Sequence, residues 1–367
     1  MAASKFEKAL KEITSTYGDK ALVPASSVRP PARISTGLFG LDVMLGGGFP
    51  LGRVTELVGE PSGGKSSLVL SAVAQAQLTD RNTYRPLQRH EGSLVDTETG
   101  EVGVPMRAVW IDTEATFDHD WARRIGVDVE ELYVAPAAYL EAAYDMVMAL
   151  IRTGEVDVLV IDSIAAMAPA TEMDASMEDQ QMGVAARGNN KGLRKITAEF
   201  NRIVQTQQHA PAVIMINQMR EKIGVMFGSP ITSPGGRGQE FFASLRINVW
   251  AEALSKAIKD GDDIVGRTSS YKIEKNKVNG IYGQAQFSIY VRDFGPYRKG
   301  AIDDSYQILE AAGRFGVIEQ NGAFYTMPDG TKLQGKAKAL SYLWDRPEVF
   351  TQVRNEVLDR AGAVRRS

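Results

Sequence analysis

A glycine-rich segment with a single lysine is the part of the sequence best suited to holding phosphate. The residues GEPSGGKS, from Gly59 to Ser66, fit the pattern G-x-x-x-x-G-K-[ST], in which backbone N–H groups curl around phosphate oxygens. The pattern lies between the apolar run RVTELV and an apolar helical pattern, so the helix N-terminus adds partial positive charge. We therefore predict an ATP site, with Lys65 directed at the β and γ phosphates and Ser66 at Mg²⁺. The predicted phosphate-binding residues are Gly59, Glu60, Pro61, Ser62, Gly63, Gly64, Lys65, Ser66 and Ser67.

Two carboxylates follow other apolar runs and are predicted to complete this site. Asp162 ends the run VDVLVID, and Glu114 ends VWIDTE; the carboxyl ends of parallel strands meet at one edge of a sheet. Asp162 is predicted to hold Mg²⁺ with Ser66, and its alternative role is a helix cap. Glu114 is predicted to orient water against the γ-phosphate, and its alternative is a solvated acid at a strand end.

The pattern of apolar residues predicts the fold that positions these groups. Apolar runs such as RAVWIDTE, VDVLVIDS and PAVIMIN alternate with helical patterns near residues 65–78 and 140–152, which is typical of a parallel sheet covered on both faces. Period-two runs after residue 236 predict antiparallel strands that extend this sheet. The polar interval 79–105 predicts either an inserted hairpin or a mobile excursion.

The two ends of the chain carry separate patterns, which divide it into three predicted regions. Residues 1–33 are predicted to be an N-terminal arm, because Phe6, Leu10, Ile13 and Tyr17 recur at helical spacing. This helix must pack on the main domain or on another subunit. Residues 34–300 form the predicted ATPase core. Residues 301–367 are predicted to be a small α+β domain with a hairpin at an Asp-Gly turn and two further helices.

Composition narrows the classes of protein to which the chain can belong. The 367 residues contain no cysteine, which removes disulfides and thiolate metal sites and fits a cytoplasmic location. There is no run of about 18 apolar residues, so no membrane span is expected, and the start lacks a signal peptide's apolar region. The net charge of −3 excludes coating of nucleic acid by bulk charge, so any such binding needs a local patch.

Longer segments resemble a known family. The segment ISTGLFGLDVMLGGGFPLGRVTELVGEPSGGKSS resembles the opening of the core shared by bacterial RecA, archaeal RadA and the KaiC ATPases. The segments MGVAARGNNKGLRK, INQMREKIGVMFGSP and YKIEKNKVNG resemble the RecA family in the same order. The resemblance covers nearly the whole chain. It implies an α/β fold: a RecA-type P-loop NTPase core with a mostly parallel sheet, an N-terminal helix arm and a small C-terminal α+β domain.

The resemblance also implies an activity. A RecA-type recombinase is a DNA-dependent ATPase that uses ATP and Mg²⁺ to form helical homo-oligomeric filaments on single-stranded DNA. Such a filament pairs its strand with homologous duplex DNA and exchanges strands, in recombination, DNA repair and the SOS response. Loader or mediator proteins are further possible partners. Two other functions stay open: a non-recombining ATPase of the same core, such as a ring helicase or a KaiC-like ATPase, and a DNA-binding filament that uses ATP only as structural glue.

The resemblance assigns roles to residues around the nucleotide. It makes Glu114 the base that activates water, Gln218 the sensor of the γ-phosphate, and Lys275 and Lys277 the groups that reach a neighbouring subunit's ATP. From the sequence alone, the two lysines are ordinary outward charges on a strand.

The resemblance also assigns two residues to the adenine of ATP, and three positions of this sequence depart from the family pattern. Asp118 and Trp121 match the family's adenine-side residues, and Trp121 would keep a stacking face; without the resemblance it is an ordinary core residue. Glu240 stands where a basic interface residue is expected, Val291 where an aromatic residue is expected, and Pro61 where an acidic residue is usual.

DNA contacts are implied for one helix and two loops. Arg187, Asn190 and Arg194 share a helix face by their spacing, although a solvated face has the same pattern. In the second loop, Ile223 is expected to act as an apolar wedge between base steps. Contacts to phosphate carry no sequence information, so binding is expected to be sequence-independent and salt-sensitive. The implied DNA-binding residues are Met182, Arg187, Asn190, Arg194, Arg220, Lys222, Ile223, Gly235, Gly236 and Arg237.

Overall fold

The computed structural model describes residues 4–19, 21–28, 30–173, 183–206, 209–221, 231–232 and 238–362. Within these ranges the α-helices are α1 (Lys5–Tyr17), α2 (Phe39–Leu45), α3 (Lys65–Gln77), α4 (His119–Ile125), α5 (Leu140–Thr153), α6 (Ala170–Met173), α7 (Val184–Thr206), α8 (Gly238–Phe242), α9 (Tyr306–Arg314), α10 (Lys336–Trp344) and α11 (Pro347–Arg360). The strands are β1 (Arg33–Ile34), β2 (Phe49–Pro50), β3 (Val54–Val58), β4 (Leu87–His90), β5 (Ser93–Asp96), β6 (Ala108–Asp112), β7 (Leu132–Pro136), β8 (Val158–Asp162), β9 (Ala212–Ile216), β10 (Arg220–Glu221), β11 (Ile231–Thr232), β12 (Leu245–Ala251), β13 (Ile258–Asp260), β14 (Asp263–Asn276), β15 (Gln284–Tyr290), β16 (Ile302–Asp303), β17 (Glu319–Asn321), β18 (Phe324–Thr326) and β19 (Lys332–Gln334).

A central sheet organises the chain. Strands β12, β3, β9, β8, β6 and β7 lie side by side in that order and run parallel. Strands β14, β15 and β16 continue the sheet beyond β12 in antiparallel pairing. The predicted α/β fold with a mostly parallel sheet is therefore confirmed, including the antiparallel extension.

Helices cover both faces of this sheet. Adjacent residues of β6 point to opposite sides: Trp110 joins the cluster that contains α3, and Ile111 joins the cluster formed with α5 and α7. Because both faces are buried, the parallel strands consist almost entirely of apolar residues. No helix in the described part of the chain is both long and apolar enough to cross a bilayer.

The N-terminal helix α1 stands apart from these clusters. Ser4 and Glu7 form a capping box at its start, which stabilises the first turn. None of its described residues is buried, and Phe6 and Tyr17 are 69% and 66% exposed. An amphipathic helix with an exposed apolar stripe gains stability only when another surface covers that stripe.

The interval 79–105 forms a hairpin. Strands β4 and β5 pair in antiparallel register, and two aspartates anchor the turns that flank them. Asp80 accepts N–H groups from Asn82 and Thr83 at 2.9 and 2.8 Å, and Asp96 accepts that of Glu98 at 2.8 Å. Of the two possibilities for this interval, the inserted hairpin is the one observed.

The C-terminal domain docks on helix α2 through a polar contact at the start of that helix. The Asp304 carboxylate accepts the N–H of Gly40 at 2.8 Å. A Cβ atom added at Gly40 would lie 1.6 Å from Oε1 of Gln307, so a larger residue there would have to displace the buried Gln307 amide. Burial raises the pKa of Asp304 to about 7.

Replacing Asp304 with Asn tests this junction through pH. The raised pKa means that the folded chain binds the proton more tightly than the unfolded chain, whose aspartate pKa is about 4. The stability from this group is therefore fully present below about pH 4 and is lost as pH rises through about 7. We expect the melting temperature of the wild type to fall relative to Asp304→Asn between about pH 5 and pH 8. The exposed Asp262 supplies the control Asp262→Asn; a constant difference between Asp304→Asn and the wild type would contradict the prediction.

Candidate nucleotide and DNA site

The phosphate loop connects β3 to α3 and is held closely against the sheet. Gly59 has a φ of 150°, and a Cβ atom there would lie 1.9 Å from the carbonyl oxygen of Val249. The Lys65 ammonium donates to the carbonyl oxygens of Gly59 and Glu60 at 2.9 and 2.6 Å. Burial lowers the pKa of Lys65. The loop therefore presents a partly desolvated cation at a helix N-terminus, where a phosphate group is favoured.

Two oxygen groups beside the loop fit Mg²⁺. The Ser66 hydroxyl donates to Oδ2 of Asp162 at 3.0 Å. Burial raises the pKa of Asp162 to about 6, and the charges of Glu114 and Asp112 act in the same direction. A hydroxyl and a carboxylate are hard oxygen donors of the kind that Mg²⁺ prefers, and a bound cation would relieve the repulsion among these acids.

Glu114 lies at the same edge of the sheet and accepts two side-chain hydrogen bonds. The Gln218 amide donates to its Oε1 at 3.0 Å, and the Ser163 hydroxyl donates to the same oxygen. Thr113 holds Ser163 in place, because its Oγ1 accepts the Ser163 N–H at 2.9 Å. The structure thus brings together Glu114 and Gln218, which lie 104 positions apart in the chain.

Ser163 was missed by the sequence reasoning. The available signal was a hydroxyl residue directly after the strand-end acid Asp162. Such a residue reaches the same sheet edge as Glu114 only if β6 and β8 are neighbours, and that adjacency is a property of the folded sheet.

A cleft beside the loop contains the predicted adenine-side tryptophan. The indole N–H of Trp121 donates to the Ser67 hydroxyl at 3.1 Å, and Asp118 caps helix α4 by accepting the Trp121 N–H at 2.9 Å. Arg267 and Val291 line the cleft with Trp121. Asp118 therefore positions the helix that carries Trp121, and Arg267 is a cleft residue that the sequence did not single out.

The expected aromatic residue near position 291 lies elsewhere. Val291 lines the cleft, whereas Tyr290 is buried and stacks on Tyr297 with 4.1 Å between ring centroids. Ile289 of β15 lines the same cleft, and adjacent residues of a strand point to opposite faces, so Tyr290 cannot face the nucleotide side. The aliphatic Val291 takes that position.

A buried arginine connects the region around Gln218 with α8 and the antiparallel strand β14. Arg246 forms ion pairs with Glu56, Glu240 and Glu274, at 3.3, 2.9 and 3.1 Å. The Asn217 amide donates to the other oxygen of Glu56 at 2.9 Å. Hydrogen bonds and ion pairs thus run without a break from the residue before Gln218 to Glu240, and the acidic side chain at position 240 pairs with this arginine.

The two lysines predicted to act on a neighbouring subunit lie against α8. Lys275 donates to the carbonyl oxygens of Glu240 and Phe241, and burial together with the charge of Lys277 lowers the pKa of Lys275 to about 8. The Lys277 ammonium lies 5.5 Å from the ring centroid of Phe241, a side chain that is 72% exposed. Neither lysine lines the cleft beside the chain's own phosphate loop.

The predicted DNA-binding helix is α7. Arg187 and Arg194 are exposed, and neither has a carboxylate partner within the described ranges. Asn190 is half-buried, with its side chain against Gly238. The structure therefore separates the predicted trio into two solvent-facing cations and one packed amide.

Most residues of the two predicted DNA loops lie outside the described residues. These are Met182, Lys222, Ile223, Gly235, Gly236 and Arg237. Arg220 lies in β10, opposite Thr232 of β11.

Family models match most of the chain. A model of the RecA N-terminal domain matches residues 4–85 and 98–294, and a model of the RecA C-terminal domain matches residues 306–362. The chain belongs to the RecA family. The residues between the two N-terminal matches, 86–97, include both strands of the β4–β5 hairpin, so this hairpin is absent from the RecA family pattern.

Individual relatives align over nearly the full length. Protein RecA of Thermus aquaticus is 37% identical over 362 residues, which cover 98% of this chain and 94% of the relative. Protein RecA of Nautilia profundicola is 37% identical over 97% of this chain and 91% of its own length. Protein RecA of Thermotoga maritima is 34% identical over 98% and 92%. The similarity to RecA proteins therefore includes both ends of the chain.

Lys65→Ala tests the phosphate loop. A charged hydrogen bond contributes about 1.5–3 kcal/mol, so loss of the ammonium group is expected to weaken ATP binding by about 10- to 100-fold. Titration with a fluorescent ATP analogue measures this affinity, and Lys338→Ala, at an exposed position of α10, is the matched control. Tight binding retained by Lys65→Ala would refute the assignment of the loop.

Proposed function

We propose that this protein is a DNA-dependent ATPase that forms ATP-bound filaments on single-stranded DNA and catalyses homologous pairing and strand exchange. The observation that carries the proposal is the hydrogen bond from Gln218 to Glu114. Glu114 is the proposed base for ATP hydrolysis, and Gln218 directly precedes the segment that resembles the second DNA loop of the RecA family. One contact therefore joins the proposed chemistry to the proposed DNA surface.

The proposed hydrolysis uses groups that already lie together. When bound, Mg²⁺ neutralises charge on the β and γ phosphates, and Ser66 and Asp162 are the residues that would hold it. The Glu114 carboxylate accepts the proton of the attacking water, as a general base. Hydrogen bonds from Ser163 and Gln218 fix the orientation of that carboxylate, so that little reorganisation is needed during the reaction.

The proposed assembly is a filament of identical chains. Helix α1 has an apolar stripe on which no described residue is buried, and Phe6 and Tyr17 at its two ends are exposed. The exposed side chains of Phe241 and Lys277 form a second group beside the half-buried Lys275. We propose that Lys275 and Lys277 act on the ATP of the adjacent subunit, which would make hydrolysis depend on assembly.

The proposed DNA contacts are electrostatic and non-specific. Arg187 and Arg194 offer guanidinium groups at one face of α7, and we propose that they contact backbone phosphates of single-stranded DNA. Such contacts position a strand without reading its bases. Recognition of a homologous duplex is then a matter of base pairing, with loader or mediator proteins as additional proposed partners.

The alternative functions make different demands on the same residues. A protein that used ATP only as structural glue would not need a base, whereas Glu114 has two hydrogen-bond donors that orient it. A KaiC-like or ring-helicase ATPase would not need the segment that follows Gln218 to resemble a RecA DNA loop. Both features favour the recombinase.

ATP hydrolysis with and without single-stranded DNA, combined with a strand-exchange assay, tests the proposed function. We expect DNA to stimulate hydrolysis and joint molecules to accumulate with ATP. Loss of the base in Glu114→Gln is expected to slow hydrolysis by about 10²- to 10⁴-fold while ATP binding is kept. Hydrolysis that ignored DNA, together with an absence of joint molecules, would contradict the recombinase. An unchanged hydrolysis rate in Glu114→Gln would support the glue function.

Gln218→Ala tests the coupling between ATP and DNA. The variant cannot donate to Glu114, so we expect ATP to lose its tightening effect on the affinity for single-stranded DNA while nucleotide binding stays largely intact. Fluorescence anisotropy of a labelled oligonucleotide, with and without ATP, measures the effect. Gln88→Ala, at an exposed position of the β4–β5 hairpin, is the control. Normal ATP-dependent tightening in Gln218→Ala would show that this side chain does not couple the two sites.

A further inference from the structure

A small cavity lies where the N-terminal segment, the core and the C-terminal domain meet. Its volume is about 50 Å³, compared with about 10–15 Å³ needed by one water molecule. Arg33 of β1, Gln75 of α3 and Arg354 of α11 supply polar groups to its lining. The cavity lies outside the nucleotide cleft, since the two share no lining residue.

In the described part of the chain, the two arginines of this cavity are not held by ion pairs. Within the ranges that the structure describes, neither Arg33 nor Arg354 forms an ion pair or a side-chain hydrogen bond. Burial lowers the pKa of Arg33, which reflects a desolvated cation without a compensating charge. Two half-buried arginines line one cavity without an ion pair to a described residue, so an anion bound there would compensate for the desolvation of their charges.

The one carboxylate in the lining is already engaged. Asp42 accepts the Ser35 hydroxyl at 2.5 Å, and its other oxygen accepts the Thr36 N–H at 2.8 Å and the Thr36 hydroxyl at 2.7 Å. Its charge reaches Arg354 through space, since Arg354 lowers the pKa of Asp42, although burial raises that pKa overall. Asp42 is more than 4.0 Å from both guanidinium groups, as neither forms an ion pair with it.

The other walls of the cavity combine the polar Ser35 and Thr79 with apolar side chains, and they come from separate parts of the chain. Leu78 follows α3, Leu358 belongs to α11, and Tyr84 and Pro86 belong to the region that leads into the β4–β5 hairpin. Partial burial lowers the local dielectric and strengthens the attraction between a cation and an anion.

We propose that this cavity is a binding site for a free tetrahedral oxyanion of the phosphate type, held between Arg33 and Arg354. The guanidinium fork matches the oxygen spacing of phosphate, and the side-chain amide of Gln75 supplies a further donor. Since Arg33 lies in the N-terminal strand and Arg354 in the last helix, the anion fastens the C-terminal domain to the core. The site is independent of the proposed ATPase activity.

Equilibrium dialysis with radiolabelled inorganic phosphate tests the site. Lys65→Ala serves as the parent chain, because the phosphate loop also attracts phosphate. We expect one phosphate per chain in the parent, and at least about tenfold weaker binding when Arg33→Gln or Arg354→Gln is added, as each removes one charged hydrogen-bonding group. Adding Lys338→Gln removes the same charge from the same domain at an exposed position and is expected to leave binding unchanged.

Thermal unfolding supplies a second readout. A ligand that binds only the folded chain raises the melting temperature in proportion to the logarithm of its concentration above Kd. We expect phosphate to raise the melting temperature of the parent chain, relative to chloride at equal ionic strength, and to lose this effect in the Arg33→Gln and Arg354→Gln chains. Their melting temperatures in chloride show whether the variants fold. Arg354→Lys, which keeps the charge without the fork, is expected to be intermediate.

Several outcomes would overturn the site. Equal phosphate binding by the parent chain and both glutamine variants would show that the arginines hold no anion. Absence of phosphate binding to the parent chain would do the same. Displacement of the bound phosphate by a short single-stranded oligodeoxynucleotide would assign the arginines to a DNA backbone and refute the free anion. Unchanged ATP hydrolysis by Arg33→Gln and Arg354→Gln in an otherwise wild-type chain would support the independence of the two sites.

Discussion

The in-register pairing of four buried parallel strands is the constraint on which the site depends. Asp112 of β6 pairs with Asp162 of β8, Asp162 pairs with Ile216 of β9, and Ile216 pairs with Leu57 of β3. Asp112 and Asp162 belong to this row, Glu114 and Gln218 lie two residues beyond it, and the phosphate loop begins two residues after Leu57. A slip of one residue in any pair would turn alternate side chains to the other face, and the acids would no longer meet the phosphate loop.

This arrangement also concentrates charge of one sign. Asp112, Glu114 and Asp162 converge near the buried Lys65 of the loop, and the raised pKa of Asp162 reflects burial first and repulsion from the other two acids second. Without a bound cation, repulsion among these carboxylates raises the free energy of the folded state, and a cation bound between them would remove that repulsion. Burial of the strands on both faces is what keeps the acids together in spite of that cost.

Local patterns made much of the fold predictable. The phosphate loop, the apolar strands and the two C-terminal helices each depend on residues that are adjacent in sequence, and they occur where the patterns place them. The Arg246 cluster was not predictable in this way, because Glu56 and Asn217 are 161 positions apart. The role of Glu240 could not be predicted either, because its partner Arg246 reaches it only through the same long-range packing. Glu240 departs from the family pattern, and the folded structure explains this acidic residue by its ion pair with Arg246.

The junction between Gly40 and Gln307 has a consequence for chimeric proteins. Because a side chain at position 40 would have to displace the Gln307 amide, α2 of the core and the first helix of the C-terminal domain form a matched pair. A C-terminal domain transplanted from a relative should dock only if its residue at position 307 packs against a glycine at position 40 of α2. The two positions are therefore expected to change together during divergence, and a successful domain exchange would carry α2 along with the domain.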